Sequence, residues 1–292
     1  MQLEDYSKKR INNLLIQGHS RAAERTCFYI HELKIMFDAG ISTCVVPKFL
    51  MLTHTHTDHS YNLPKTMYPI NIKNLHERKI FTPHQSVPPL RKFIDSIRMM
   101  ENCNTYSKWS HRYNIVGAQC NQVYELHHNY IMETFQCYHG IPCLGYGIFD
   151  RKKKLKKEYL GQDINKLKKQ EDYDESKLFD DIIKPIICYL GDTRIEVFNN
   201  SPKLKEYPII FIECTYLEED MLENARENNH INWIELKPWI ELYKDTKFIL
   251  IHFSLRYKDS YIKDLFDKEI ESLNNKNIYV WLDTGVVCYN DN

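Results

Sequence analysis

The segment Thr53-His54-Thr55-His56-Thr57-Asp58-His59 constrains this chain more than any other part of it. It places four metal-ligand residue types within six positions, directly after the apolar run Phe49-Leu50-Met51-Leu52. His54 and His56 are two apart, so on an extended chain they point to the same side. Asp58 and His59 follow at once, where the chain can turn to face them. Imidazole and carboxylate at this density suit zinc or a similar divalent ion. A four-coordinate site that keeps one position open for water takes only three protein ligands. Four from one segment therefore point to two ions in one cavity.

Three further apolar runs each stop at a candidate ligand. Tyr130-Ile131-Met132-Glu133-Thr134-Phe135 leads to His139, Ile186-Ile187-Cys188-Tyr189-Leu190 to Asp192, and Phe248-Ile249-Leu250-Ile251 to His252. Such runs read as strands, and rigid strand ends are where a site of fixed geometry is built. The expected sets are His54, His56 and His139 for one ion and Asp58, His59 and His252 for the other. Asp192, with two oxygens to share, is expected to bridge them. Asp38 is expected to hydrogen-bond the ligands rather than bind metal. Zinc is the expected ion, with manganese or another divalent cation as the alternative.

The 292 residues are 43% hydrophobic, enough for a sizeable core. Lys plus Arg and Asp plus Glu number 39 each, so global charge announces no nucleic-acid partner. Nine cysteines are an odd number, without a C-x-x-C pair, and the start Met1-Gln2-Leu3-Glu4-Asp5-Tyr6 lacks the apolar core of a signal peptide. Reduced thiols in the cytoplasm or another reducing intracellular compartment are expected, in a chain that is not secreted. No apolar stretch approaches a membrane span.

Strands are expected at 11–16, 27–30, 33–37, 49–52, 113–117, 122–126, 130–137 and 144–149, then at 186–190, 208–213, 247–252 and 277–281. Helices are expected at 85–102, 217–228, 231–244 and 258–274. Hairpins followed by alternation predict an α/β fold over residues 1–292, two sheets with helices outside, a four-layer αββα sandwich. His19, His31, His76, His84, His111, His127 and His128 read as surface residues.

One segment breaks the composition. Arg151-Lys152-Lys153-Lys154-Leu155-Lys156-Lys157 carries six positive charges in seven residues, and Lys166, Lys168 and Lys169 follow. Over 151–169, nine basic against two acidic residues leave a net +7. Glu171, Asp172, Asp174, Glu175, Asp180 and Asp181 then reverse the sign. Charge runs are commonly solvated faces. Beside a phosphodiesterase-type metal site, the alternative is an arm (150–184) in which Lys152, Lys153, Lys154, Lys156 and Lys157 bind a nucleic-acid backbone.

The His54-x-His56-x-Asp58-His59 element with His139, Asp192 and His252 resembles the metallo-β-lactamase fold superfamily. Tyr189-Leu190-Gly191-Asp192-Thr193-Arg194, Ile212-Glu213-Cys214-Thr215-Tyr216 and His252-Phe253-Ser254-Leu255-Arg256-Tyr257 resemble signature segments of ribonuclease Z (tRNase Z). Lys154-Leu155-Lys156-Lys157-Glu158-Tyr159-Leu160-Gly161 is similar to the arm of its short, plant-type members, and Glu227-Asn228-Asn229-His230-Ile231 also fits. Where members often carry glycines after the DH pair, this chain has Ser60-Tyr61-Asn62.

The resemblance implies a zinc-dependent endoribonuclease that cuts precursor tRNA after the discriminator nucleotide, leaving a 3′ hydroxyl on tRNA and a 5′ phosphate on the trailer. Asp58 would orient or deprotonate the attacking water. His230, held by Glu213, would protonate the leaving oxygen. Arg256 would bind substrate phosphate; its plain alternative is a structural salt bridge. The family also implies a homodimer whose arms serve each other's sites. Two rivals remain, a glyoxalase II-like thioesterase or small phosphodiesterase on the same fold, and a non-catalytic RNA-binding member.

Overall fold

A computed structural model describes residues 2–67, 78–127, 129–164 and 174–289. Among them the strands form two sheets, and within each the spatial order follows chain order. The first sheet holds β1 (Lys8–Ile11), β2 (Leu14–Arg21), β3 (Arg25–Ile30), β4 (Ile35–Phe37), β5 (Phe49–Met51), β6 (Lys79–Pro83) and β7 (Asn114–Ala118). Pairing is antiparallel as far as β4 and parallel beyond it. The second holds β8 (Val123–His127), β9 (Tyr130–Cys137), β10 (Cys143–Leu155), β11 (Phe179–Tyr189), β12 (Ile209–Glu213), β13 (Lys247–Ile251), β14 (Ile278–Leu282) and β15 (Gly285–Cys288). Here β11 to β14 are parallel and the remaining pairs antiparallel.

Alternation gives each sheet one face for its partner sheet and one for helices. Between the sheets, Phe28 from β3 meets Phe211 at 5.0 Å and Trp281 at 5.2 Å between ring centroids, both edge-on. Phe37 stacks on Tyr189 at 4.6 Å. Each such buried ring contributes roughly 1.5–3 kcal/mol of transfer free energy. Three helices belong to the first sheet's outer side: α1 (Thr57–Ser60), α2 (Leu63–Thr66) and α3 (Val87–Glu101). Leu63 and, on α3, Leu90 and Ile94 fill that layer with Met36, Leu50 and Ile80. The helices Trp233–Leu242 and Asp259–Ser272 cover the second sheet, burying Leu236, Ile240, Ile262 and Phe266 against Ile212, Leu250 and Val280. The result is the αββα sandwich of the sequence reading.

Several local expectations are corrected. The run 11–16 is not one strand. Asn12, with φ 52°, and Asn13 make a two-residue hairpin turn that pairs Ile11 with Leu14, the backbone for which Asn is suited. Strands β6 and β15 were not anticipated, because each is short and no alternation marks it. His19 is buried rather than at the surface, its ring stacked on Tyr6 at 4.5 Å. Burial, then Arg25 and Arg21, pull it down to about 4, so the ring is neutral. His76 and His128 lie outside the described residues. All nine cysteines are free thiols.

The basic run lies largely in a strand. β10 continues through Leu155 and β11 begins at Phe179, so the sheet projects as a two-stranded ribbon. Its register sets Lys153 opposite Asp181 and Lys154 opposite Asp180, and cross-strand opposite charges stabilise such ribbons. Lys152 pairs with Asp150 at 3.1 Å, Arg151 with Glu125 at 2.7 Å, and Lys156 donates to the Ser176 carbonyl at 2.9 Å. Lys166, Lys168, Lys169, Glu171 and Asp172 lie outside the described residues.

Candidate metal centre

Four of the seven candidate ligands follow strands, and the other three lie in or just before a short helix. His54 follows β5, Asp192 follows β11 and His252 follows β13, at the carboxyl ends of parallel strands, where open α/β sheets place ligands. His56 lies between His54 and α1, Asp58 and His59 are in α1, and His139 is in the turn between β9 and β10. Two glycines make the convergence possible. Gly191 has φ 65°, and a Cβ there would lie 2.7 Å from Thr53 Cγ2; at Gly40 it would lie 1.7 Å from the Asp58 carbonyl oxygen. His252 itself adopts φ 64°, a strained conformation for a side-chain-bearing residue of the kind found at functional sites.

The structure brings together all seven predicted ligands. One set is His54, His56, His139 and Asp192; the other is Asp58, His59 and His252; within each, the donor atoms lie within 4.8 Å of one another. Asp192 addresses both. Its Oδ2 lies 3.6 Å from His54 Nε2 and 3.9 Å from His139 Nε2, while Oδ1 lies 3.4 Å from both His59 Nε2 and His252 Nε2. Asp58 Oδ2 is 3.5 Å from His59 Nε2 and from His252 Nε2. Asp192, His230 and His252 form a third, overlapping set.

Hydrogen bonds behind the ligands decide which ring nitrogen is bare. Asp38 accepts from the Thr53 amide at 2.8 Å, His59 Nδ1 at 2.8 Å and Tyr189 OH at 3.0 Å. His59 Nδ1 is thus the donor and its Nε2 carries a lone pair. Thr215 Oγ1 donates to Glu213 Oε2 and so accepts from His252 Nδ1 at 3.2 Å, leaving His252 Nε2 bare too. These two lone pairs face each other at 3.3 Å. His139 Nδ1 donates to the Asn229 carbonyl at 3.2 Å. His54 Nδ1 meets Thr53 Oγ1 at 3.0 Å, and its Nε2 is buried without a hydrogen-bond partner. Opposed lone pairs, carboxylate oxygens between them and an orphaned buried nitrogen are a donor set that fits a divalent cation.

Electrostatics agree. Burial and His59 hold His54 well below its ordinary value, so it is neutral. Burial opposes a charge on His59, but Asp192, Asp38 and Asp58 outweigh it and push its pKa up to about 10, so Nε2 takes up a proton wherever no cation competes for its lone pair. The pocket therefore attracts positive charge at the point where the ligands converge. Burial works against ionised Asp58 and Asp192 as well, yet the histidines facing them hold both carboxyls below their usual range.

Glu213 and His230 form a pair beside this cluster. His230 Nδ1 donates to Glu213 at 2.9 and 3.0 Å from its two oxygens. Fully buried Glu213 also accepts from the Thr193 amide at 2.7 Å, the Ile231 amide at 3.1 Å and Thr215 Oγ1. Burial disfavours a charged His230, but the Glu213 charge and hydrogen bond outweigh it and raise the imidazolium to about 9. The His230 ring lies 5.1 Å from that of His139 and 5.5 Å from that of His252.

Arg256 is exposed and lies over Tyr216 at 5.2 Å and Tyr257 at 6.0 Å, with Met221 Sδ beside it. Lys152, Lys153, Lys154, Lys156 and Lys157 are not beside the cluster. β10 starts near it, with Cys143 Sγ 3.3 Å from the Asp192 carbonyl, and Lys154 stands eleven residues on, roughly 36 Å along an extended strand.

Two contacts had no sequence reading. The Ala23 amide, at φ 59° in the β2–β3 turn, donates to Asp58 Oδ2 at 3.0 Å; backbone donors leave no residue-type signal. Thr215, bridging Glu213 and His252, did leave a residue-type signal, since two positions beyond Glu213 it faces the same side.

No family model matches the chain. It is 30% identical over 271 residues to tRNase Z TRZ1 of Arabidopsis thaliana, covering 90% of this chain and 91% of that one. It is 29% identical over 282 residues to tRNase Z TRZ2, chloroplastic, of the same plant, covering 89% and 76%. The crystal structure of human tRNase Z, short form, superposes with a TM-score of 0.53 at 17% identity, over 94% of this chain and 99% of that one. The metallo-β-lactamase fold protein YhfI from Bacillus subtilis gives 0.57 at 12% identity, over 93% and 98%. At those identities the structural likeness shows the fold alone.

Asp38 orients without reaching the cluster's centre, which yields a measurable expectation. Asp38→Ala frees the His59 ring and the Thr53 amide, and should weaken divalent-metal affinity by roughly 10–100-fold, the scale for such supporting partners. Competition with a chromophoric chelator measures it. An unchanged affinity would show that Asp38 only packs.

Proposed function

This chain belongs to the tRNase Z family, and from that premise we infer a metal-dependent endoribonuclease that removes the 3′ trailer from precursor tRNA. It cuts after the discriminator nucleotide, leaving a 3′ hydroxyl on tRNA and a 5′ phosphate on the trailer. One observation carries the mechanism: a charged histidine backed by a buried glutamate stands beside a cluster of bare imidazole nitrogens that share a carboxylate.

His54, His56 and His139 would hold one zinc ion and Asp58, His59 and His252 a second, with Asp192 between them. When bound, two such ions supply electrostatic stabilisation of a phosphodiester undergoing in-line displacement and lower the pKa of water between them. Asp58, kept ionised by His252 and His59, orients the attacking water by accepting its hydrogen bond. His230 spends Nδ1 on Glu213, so its Nε2–H is left to give its proton to the leaving ribose 3′ oxygen. Glu213 does not move; it fixes the ring and stabilises its charge. Arg256, with a planar guanidinium over two aromatic faces, suits a substrate phosphate.

The ribbon supplies reach. An arm whose Lys154 stands roughly 36 Å along β10 from its own cluster suits either the far side of one bound tRNA or the site of a second copy. We favour the second, a homodimer with exchanged arms. A reducing compartment fits the nine free thiols. No described helix is long and apolar enough to cross a membrane.

The direct test is to incubate the purified protein with a 3′-extended tRNA transcript and map the cut. The inference requires cleavage just after the discriminator. His230→Ala should lower turnover by about 10²–10⁴-fold with metal retained; loss of metal in that variant would make His230 a ligand instead.

The arm has its own test. Replacing Lys152, Lys153, Lys154, Lys156 and Lys157 by Gln should weaken precursor-tRNA binding and flatten its salt dependence by about one log–log unit per lost phosphate contact. Native affinity and slope would make the run a solvated face.

A further inference from the structure

The segment that carries the ligands has a second face. His54, His56 and Asp58 contribute to the cluster, while Thr55 and Thr57, one position out of phase, line a cavity completed by Ser60, Tyr61, Leu90 and Phe93. The cavity lies between α1 and the first turns of α3, so the wall separating it from the cluster is a single chain segment. Its volume is about 220 Å³. Pockets that enclose whole small ligands run to roughly 300–1,000 Å³, so this one takes a single ring system. None of these lining residues is charged; the surface is apolar with hydroxyls at its edge.

Tyr61 stands at the mouth with 63% of its surface exposed. Its backbone is fixed. The Tyr61 amide donates to the Thr57 carbonyl at 2.9 Å, Ser60 Oγ to the His56 carbonyl at 2.9 Å, and the Asn62 amide and side chain to the Ala39 and Gly40 carbonyls, each at 2.9 Å. A large aromatic ring is thus held out to solvent on a rigid turn, two residues from a ligand. Unpaired RNA bases are bound by stacking on such rings, with hydroxyls for the base edge.

Resting on the precursor-tRNA reading, we propose that Tyr61 and this cavity form a subsite for the base of the first trailer nucleotide, and that stacking there helps to set which phosphate is cut. The side follows from the layers. His230, which faces the leaving 3′ oxygen, comes from the second sheet's helical layer, and that oxygen belongs to the tRNA. Tyr61 comes from the first sheet's layer, across the cluster. The nucleotide on the other side of the scissile phosphorus is the first of the trailer.

The test is a two-by-two comparison of single-turnover cleavage. Wild type and Tyr61→Ala are each given a precursor tRNA with an intact or an abasic first trailer nucleotide, with Tyr61→Phe in parallel. Stacking by one ring predicts that Tyr61→Ala loses roughly 5- to 150-fold in kcat/KM on the intact substrate. Tyr61→Phe should stay close to wild type, because the ring and not the hydroxyl stacks. On the abasic substrate, wild type should fall to the level of Tyr61→Ala and the variant should lose nothing further. Equal losses in wild type and variant on removing the base would overturn the subsite. So would coupling that appears only when the discriminator base is removed instead, which would place the pocket on the tRNA side. Melting temperature and bound metal, measured on the same preparations, identify a variant that has misfolded; Tyr61→Phe losing as much as Tyr61→Ala would also count against stacking. Failure of the family reading looks different: wild type would then leave the intact precursor uncut, whatever stands at position 61.

Discussion

The Asp192 carboxylate is the interaction on which the rest of the site depends. One oxygen faces His54 and His139 and the other faces His59 and His252, so a single side chain joins two sets of donors from both sheets. His54, His59 and His252 are buried with it. Lone pairs facing one another in a dry pocket are costly, as are buried carboxylates without full pairing. A cation bound where the donors converge would turn both costs into attraction. The scaffold is shaped to hold these donors in place: Asp38 and His252 occupy left-handed backbone conformations, as does Gly191.

The same geometry links the candidate metal ligands to His230, the proposed proton donor. Glu213 ends β12, between the strands that carry Asp192 and His252. Through Thr215 it fixes the His252 ring, and directly it fixes and charges His230. Its four donors come from three segments, so the carboxylate that charges His230 is held by the elements that deliver ligands.

Much of this was legible in the sequence because ligands sit where apolar strands stop. The runs before His54, Asp192 and His252 are buried on both faces, so an uninterrupted apolar stretch ending in a ligand type was the visible sign. Helix α3 was visible from its 3–4 spacing of Leu90, Phe93, Ile94 and Ile97. The ribbon was not, because a two-stranded projection exposed on both faces needs no apolar alternation; Lys153 and Lys154 face Asp181 and Asp180, 28 and 26 positions further along the sequence, and only the register reveals the pairing. The Asn12 turn had a local sign, the Asn12-Asn13 pair, that the apolar run around it masked; buried His19 depended on tertiary contacts, since β2 is covered on both sides and a polar residue in it is enclosed. The Ala23 amide on Asp58 is a backbone contact, on which residue types are silent. The resemblance to tRNase Z supplied what neither periodicity nor burial does, the roles proposed for His230 and Arg256.

The proposed role of Asp192 as a shared ligand is open to direct measurement. Elemental analysis of purified protein after mild dialysis should find close to two divalent ions per chain in wild type. In Asp192→Ala, correctly folded by its melting profile, both should be lost or greatly weakened together, and activity with them. One ion per chain in wild type, or a fully active Asp192→Ala protein that keeps both, would contradict it.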